Sequence, residues 1–349
     1  MEEAAPPRRA TIVTLAQAAG VAPSTVSRAL TGDTRISATT RARIARLAHE
    51  MGYTPQASAR MMSSGRSGLI GVVVGTSKNP FYTELLHETV RQVALRKMRL
   101  LIIHAGDGPI ENKTADALLQ YQVDGCLLTS VELPSNVSDI CSANGVPVVM
   151  INRVARLNAS AVTCDNIYGS AQLAELLVEA GHRRIALVRT STSSSTGQER
   201  DRGFTQYLAE RGFPLPLRLD GHSSYDGGFA AGQHLAGLEL GKRPDAVFAV
   251  SDIMAFGVLD ALRLAGLKAG EDMSVVGFDG LPQAARPIYD LTTVEQPLPA
   301  MVGRALDLLQ ARIADLAIPD ETIALRGRLI LRGSSRPATA PVKAQAEAG

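Results

Sequence analysis

The 349-residue chain is predicted to be an α/β protein in which a small all-α head precedes a larger body of parallel sheets. From residue 69 onward, short apolar runs alternate with helical patterns, as expected for parallel strands covered by helices. The apolar runs are far shorter than the roughly 20 residues needed to cross a bilayer. Hydrophobic residues make up 45% of the chain and charged residues 20%, the balance of a globular protein.

Charge is distributed unevenly along the chain. Residues 1–67 carry nine arginines and four acidic side chains, whereas the remainder carries 27 of the 36 basic and 30 of the 34 acidic residues. Arginine has a planar fork that suits phosphates and guanine edges. The imbalance predicts that only the head contacts a polyanion, although a solvated basic surface would give the same count.

The head has the pattern of a helix-turn-helix. Thr11 is the predicted cap of a first helix, Gly20 ends it where a turn needs positive φ, and Pro23 begins a second helix. A third helix is predicted from the cap Ser37 to about residue 50. On the second helix, Ser24, Ser27 and Arg28 share the outer face, an arrangement suited to reading the major groove.

The body is predicted to form two successive lobes, because its alternating pattern is too long for one sheet. Ligands bind beyond the carboxyl ends of strands in such sheets, so functional side chains are expected there. The predicted strands are 69–74, 100–104, 125–129, 146–151, 184–188, 246–250 and 274–277, and the predicted helices are 81–96, 168–179, 198–211, 227–236 and 253–265.

Several classes of site are disfavoured by the residue patterns. The three cysteines are widely spaced and odd in number, which predicts reduced thiols, and the six histidines have no metal-ligand spacing. Neither a phosphate-binding loop nor a nucleophile elbow is present. The N-terminus lacks the apolar stretch of a secretion signal, which predicts a cytoplasmic protein. We therefore expect no enzyme activity, catalytic residue, metal or cofactor.

The head strongly resembles the headpiece of the lactose/galactose-repressor (LacI/GalR) family of bacterial transcription regulators. The resemblance is carried by the continuous run 11–30, by Ile36-Ser37 and Thr40-Arg41, and by 52–55 with Ala59-Arg60. It implies that Pro23, Ser24 and Arg28 face the bases, with Arg28 suited to guanine. It also implies a hinge helix at 56–63 that wedges Met62 into a minor-groove step.

Two residues of the head depart from the family pattern. Gln56 stands where the family usually has asparagine, and Ala22 stands where a serine often caps the second helix. A lost cap costs roughly 0.5–2 kcal/mol.

The body resembles the same family, whose body has the periplasmic-binding-protein fold. The matching stretches are 70–74, 79–81, 123–125, 146–149, 165–166, 181–185, 252–255, 274–279 and 291–297, so the resemblance covers about residues 10–333. By position, it implies that the small-molecule effector is bound by Phe81, Tyr82, Asn152, Asp165, Arg200, Tyr225, Ser251 and Asp279. One arginine, one carboxylate, neutral polar groups and aromatic rings suit a small polyhydroxylated ligand or a small acid.

Two of these positions differ from many family members. Asn152 replaces an aspartate and Ser251 an asparagine, and the lost negative charge at Asn152 favours an anionic effector. Arg200 is also able to pair with Asp279 when the pocket is empty.

The expected function is a transcription regulator, most simply a repressor, whose affinity for double-stranded operator DNA is controlled by a sugar, sugar acid or related metabolite. A homodimer is expected, with higher assembly left open. The predicted segments are a flexible N-terminus (1–10), the headpiece (11–55), hinge and linker (56–68), a body (69–333) and a disordered tail (334–349). Within the body, the N-lobe is about 69–164 plus 295–326, and the C-lobe is about 165–294 plus 327–333.

Two rival functions remain at this point. A sugar-binding or transport protein would use the body alone, and the basic head with no secretion signal argues against it. An α/β enzyme with an incidental head is opposed by the lack of a catalytic constellation.

Overall fold

The structure is a computed structural model that describes residues 10–53, 66–106, 112–129, 137–153, 159–190, 194–214 and 216–337. The chain divides into two compact units at Gly68. The predicted hinge helix with Met62, the N-terminus before residue 10 and the tail beyond residue 337 lie outside the described residues.

The first unit contains three short helices whose ends match the predicted caps. They are α1 (Ile12–Ala19), α2 (Pro23–Leu30) and α3 (Ala38–Glu50). The Thr11 hydroxyl accepts from the Thr14 N–H, and Gly20 ends α1 with φ of 63°. Because Ala22 has no hydroxyl, α2 begins without a side-chain cap. Fully buried Leu15, Val26 and Ile44 form the core that fixes these helices against one another.

The second unit contains two six-stranded sheets, and the described helices that follow their strands cover them. The first sheet is parallel, in the order β11-β5-β4-β3-β1-β2. The second has the order β12-β10-β9-β8-β6-β7, and only β12 is antiparallel. The strands are β1 (Leu69–Val74), β2 (Arg99–His104), β3 (Gly125–Thr129), β4 (Val148–Ile151), β5 (Ser160–Cys164), β6 (Ile185–Arg189), β7 (Leu217–Asp220), β8 (Ala246–Ala249), β9 (Ser274–Asp279), β10 (Thr292–Glu295), β11 (Thr322–Leu325) and β12 (Arg328–Ile330).

The helices of this unit alternate with the strands, as the α/β pattern predicts. They are α4 (Phe81–Leu95), α5 (Asn112–Gln120), α6 (Val137–Ala143), α7 (Asn166–Glu179), α8 (Ser195–Glu210), α9 (Tyr225–Gly237), α10 (Asp252–Leu264) and α11 (Leu298–Ala314), with a 3₁₀ turn at Pro282–Ala285. None of the described helices is long and apolar enough to span a membrane.

The strands that the apolar runs predicted are largely buried, except for the edge strand β2. Each is present, with ends shifted by at most two residues. The prediction did not include β5, β7 or β10–β12. Strands β7 and β12 are exposed and lie at sheet edges, so their sequences are not continuously apolar. Strands β5 and β10 are buried, but their serines and threonines interrupt the apolar pattern.

The predicted disordered tail is wrong for its first residues. Ser334 is buried, and its hydroxyl donates to the Val275 carbonyl and accepts from the Thr292 N–H. The Arg336 N–H donates to the Ser274 hydroxyl. Specific side-chain bonds of this kind tie the segment to the second sheet, and composition alone gives no sign of them.

The chain crosses between the two sheets three times, after β5, β10 and β11. The crossovers pack closely where Gly327 lies. A Cβ at this position would come within 2.8 Å of the Glu295 carbonyl oxygen and 3.2 Å of the Cys164 Sγ. The carboxyl ends of both sheets meet the crossovers here, so side chains from the two lobes come together at this edge.

Candidate functional site

The outer face of α2 is the candidate nucleic-acid surface of the head. Pro23, Ser24 and Arg28 are exposed and Ser27 is half-buried. Other arginines of the head are held by its own atoms. Arg35 pairs with Asp33 at 2.7 Å, and Arg43 donates to the Ala19 carbonyl at 2.9 Å.

Arg28 is not held in this way. Its guanidinium donates no hydrogen bond to the part of the chain that the structure describes. The α2 face therefore presents, beside two hydroxyls, a cation whose nearby carboxylate, Asp33, is already paired with Arg35.

In the body, a buried ion pair lies at the carboxyl end of the second sheet. Arg200 on α8 and Asp279 at the end of β9 are 3.0 Å apart, and both side chains are at least 95% buried. The guanidinium also donates through Nε to Asn166 Oδ1 at 2.9 Å and through Nη1 to the Val250 carbonyl at 2.7 Å. The Phe278 ring packs 3.8 Å from Arg200 Cζ. Burying a charge is costly unless it is paired and hydrogen-bonded, and these contacts meet that condition.

Asp279 accepts hydrogen bonds from three different elements. Its Oδ1 accepts from Arg200 and from Gln296 Nε2 at 2.7 Å, and its Oδ2 accepts from Asn79 Nδ2 at 2.9 Å. Asn79 belongs to the loop between β1 and α4 of the other lobe. The carboxylate therefore joins the two lobes by a direct side-chain bond.

The backbone at Asp279 is strained. Its φ is 137°, which non-glycine residues rarely adopt, and the following Gly280 has φ of 72°. The turn is fixed by the Gln296 N–H, which donates to the Asp279 carbonyl, and by the Leu281 N–H, which donates to Asp252 Oδ2 at 2.8 Å. Strain held by such bonds is typical of functional sites.

Asp252 is a second, fully buried carboxylate beside the pair. Its Oδ1 accepts from the Thr293 hydroxyl at 2.6 Å. Burial, and then the nearby Asp279 charge, raise the pKa of Asp252 from 3.8 to about 7. The Asp252 carboxylate packs against Gly277, where a side chain would clash because its Cβ would lie 2.4 Å from Asp252 Oδ1.

Neutral polar and aromatic residues complete the cleft. Asn152 has φ of 57°, and its Nδ2 lies 3.4 Å from the Tyr82 hydroxyl. The Phe81 and Tyr82 rings meet edge to face at 5.6 Å. Asn152 Oδ1 and Ser251 Oγ are buried without a hydrogen-bond partner among the described residues. Buried polar atoms normally find partners, so both atoms fit a site that a ligand completes.

The hydroxyl of Tyr225 and the carboxylate of Asp165 make structural contacts instead. Asp165 caps α7 by accepting from the Tyr168 N–H at 3.0 Å. The Tyr225 hydroxyl donates to Asp260 on α10 at 2.7 Å. Burial, and then this hydrogen bond, raise the pKa of Tyr225 to about 12. Their assignment to the effector stays a prediction.

Four residues of this network were not singled out from the sequence. They are Asn79, Asn166, Asp252 and Gln296. Gln296 follows β10 directly, and Asn166 and Asp252 follow β5 and β8 within three residues. The rule that ligands bind beyond the carboxyl ends of parallel strands would have found these three, since each is a polar residue at such an end.

In the cleft, hydrogen-bond donors, acceptors and aromatic rings surround the buried Arg200–Asp279 pair, in which the carboxylate balances the positive charge of Arg200. Such a cleft suits a small polar ligand, and the head carries a helix-turn-helix with an exposed arginine. Together they define the class of ligand-responsive DNA-binding proteins.

Comparison with known proteins agrees with this class. Residues 11–56 match the model of bacterial regulatory proteins, lacI family, and residues 174–335 match the periplasmic binding protein-like domain. The ribose operon repressor of Escherichia coli (strain K12) is 31% identical over 331 residues, which are 93% of this chain and 100% of that protein. The chain belongs to the lacI family of bacterial regulatory proteins and is a DNA-binding transcription regulator.

Solved structures show the same fold. The lac repressor dimer bound to operator and the anti-inducer ONPF matches with a TM-score of 0.86 at 23% identity, covering 94% of this chain and 100% of that one. The transcriptional regulator CelR–cellobiose complex matches with a TM-score of 0.69 at 30% identity, with the same coverage. The predicted fold class, a helix-turn-helix head on a two-lobed body with parallel sheets, is confirmed.

Protonation of Asp252 makes stability depend on pH. Because its folded pKa lies above its unfolded value of 3.8, the folded protein binds the extra proton between about pH 4 and 7. The contribution of Asp252 to the free energy of unfolding therefore falls as pH rises through this window. We expect Asp252→Asn to remove this part of the pH dependence, measured by thermal unfolding at pH 5, 6, 7 and 8.

Asp220→Asn is the matched control, because Asp220 is half-exposed and pairs at the surface with Arg189. It should leave the slope unchanged. An unchanged slope in Asp252→Asn would contradict the assignment.

Proposed function

We propose that this regulator is a cytoplasmic homodimeric repressor whose head reads operator DNA and whose cleft binds a neutral sugar. The DNA-contacting residues are Pro23, Ser24, Ser27 and Arg28, with Met62 of the hinge. The effector-contacting residues are Phe81, Tyr82, Asn152, Asp165, Arg200, Tyr225, Ser251 and Asp279, to which the network adds Asn79 and Gln296.

The observation that supports the DNA-reading role is the exposed guanidinium of Arg28, which donates no hydrogen bond within the described residues. An exposed arginine on the first turns of a second helix reaches guanine O6 and N7 without breaking an internal bond. The body lacks an equivalent basic excess. A dimer would place two such helices on the half-sites of a near-palindrome.

The neutrality of the Arg200–Asp279 pair is the observation that supports a neutral effector. Asp279 offsets the Arg200 charge at 3.0 Å, and Asp252 adds a further carboxylate. An anionic ligand would find no surplus positive charge on Arg200. The sequence argument that Asn152 favours an anion is therefore outweighed, and a polyol that exchanges hydroxyl bonds with this network fits better.

The names of similar proteins support the same ligand class. One relative is a ribose operon repressor, and one solved relative is a complex with cellobiose. Both names refer to neutral sugars, in keeping with the charge of this cleft.

The bond between Asn79 and Asp279 supports a coupling mechanism. The two residues come from opposite lobes, so a ligand that competes for Asp279 changes what holds the lobes together. A ligand shifts an equilibrium between two lobe arrangements only through different contacts in each. The Asp279 carboxylate provides that difference.

The DNA-reading role is tested with Arg28→Ala. We expect a loss of about 1–3 kcal/mol of discrimination at one base position of the selected operator, because a bidentate guanine contact is worth this much. The measurement is binding of full-length protein to a library of operator fragments at fixed salt. The control is Arg46→Ala on α3, which should leave the base preference unchanged. Arg46 is also an exposed arginine of the head, and its Nε lies 3.6 Å from Glu50 Oε1. Equal discrimination by wild type and Arg28→Ala would refute the assignment.

The effector role is tested by calorimetric titration with pentoses, hexoses, cellobiose and the matching sugar acids. We expect a neutral sugar to bind and its acid to bind at least ~10-fold more weakly. Asp279→Ala should abolish binding, and Asp220→Ala should leave it intact. Tight binding of an acid alone, or of none of these compounds, would rule out the proposal.

A further inference from the structure

A cavity of about 370 Å³ lies beside the ion pair, where the two lobes meet. The start of α4 supplies Phe81 and Glu84, the turn after β9 supplies residues 279–282, and the crossover into α11 supplies residues 295–299. Its volume is in the range of small-molecule sites.

The walls of this cavity offer few hydrogen-bond donors. Three of the lining residues are prolines, at positions 282, 297 and 299, and proline has no N–H. The remaining backbone donors are largely occupied, since the N–H groups of Leu281, Gln296, Leu298 and Phe81 donate to Asp252, Asp279, Gln296 and Asn79. The positive ends of α4 and α11 therefore have few N–H groups left for an anion.

The polar side chains of the cavity are acceptors. Glu84 is half-buried, and Glu295 pairs with Arg328 at 2.8 Å. Gln296 is 3% exposed and donates through Nε2 to Asp279, while its buried Oε1 has no hydrogen-bond partner within the described ranges. A buried acceptor left unpaired costs free energy, so it fits a donor supplied by a ligand.

Because Glu295 pairs with Arg328 and Asp279 with Arg200, the acceptors left for a ligand are the Glu84 carboxylate and the Gln296 amide oxygen. Together with a phenyl ring and prolines in the walls, they complement a group that only donates. A primary ammonium has three donors and no acceptor, and its positive charge matches Glu84. A carboxylate or phosphate would meet acceptors on the polar walls. We propose that this cavity is a binding site for the ammonium group of a small amine with an apolar or polyol scaffold.

The proposal rests on the proposed effector role of the cleft in one respect, because the cavity shares Phe81, Gln296 and Asp279 with it. With a neutral sugar in the cleft, a separate small amine would occupy the cavity.

Three probes that share a ring and differ in one group test the proposal. They are cyclohexylamine, cyclohexanol and cyclohexanecarboxylate, titrated calorimetrically into full-length protein at pH 7.5. We expect the amine to bind at least ~10-fold more tightly than the alcohol, since a hydrogen bond between charged groups is worth roughly that ratio. The carboxylate should give no heat of binding.

Glu84→Gln identifies the site. It should weaken the amine by ~10-fold and leave the alcohol unchanged, because only the charge is removed. Glu239→Gln, at an exposed glutamate that pairs with Lys242, should change neither. No preference for the amine, an unchanged amine affinity in Glu84→Gln, or binding of none of the probes overturns the proposal.

The effector titration on the same protein separates the two proposals. Sugar binding without amine preference overturns only the amine site. Amine binding at Glu84 without any sugar binding overturns only the neutral-sugar effector.

Discussion

The buried pair Arg200–Asp279 is the interaction on which the cleft depends. Removing two charges from water costs several kcal/mol per ion, which their attraction offsets only when the remaining donors and acceptors are also satisfied. Asn166 and the Val250 carbonyl satisfy the guanidinium, and Gln296 and Asn79 satisfy the carboxylate. The positions of β8, the β10 crossover and the β1–α4 loop are therefore tied to one ion pair.

This pair also gives the two lobes a common contact. Asp279 lies on a strained turn of one lobe and accepts from Asn79 of the other. Asp252 also fixes this turn, because its Oδ2 accepts a hydrogen bond from the Leu281 N–H. A ligand that bonds to Asp279 therefore acts at the point where the two lobes are joined. Effector control of DNA binding needs such a shared element.

Much of this arrangement was predictable from the sequence. The family resemblance implied both members of the pair as effector positions, and the possibility that they bond to each other is confirmed. The glycine and cap positions of the head were also predicted, because local sequence determines them. Side-chain bonds between distant segments, such as Asn79 with Asp279 or Ser334 with Val275, have no local signal and needed the structure.

A double-mutant cycle of Arg200→Met and Asp279→Asn, measured by chemical unfolding of the full-length protein, tests the central claim most directly. Each single change leaves a buried charge or dipole without its partner, so each should cost about 3–5 kcal/mol. The double variant should be more stable than the sum of the two losses predicts, with a coupling of about 1–3 kcal/mol. Losses that add to within ~0.5 kcal/mol would show that the cleft does not depend on this pair.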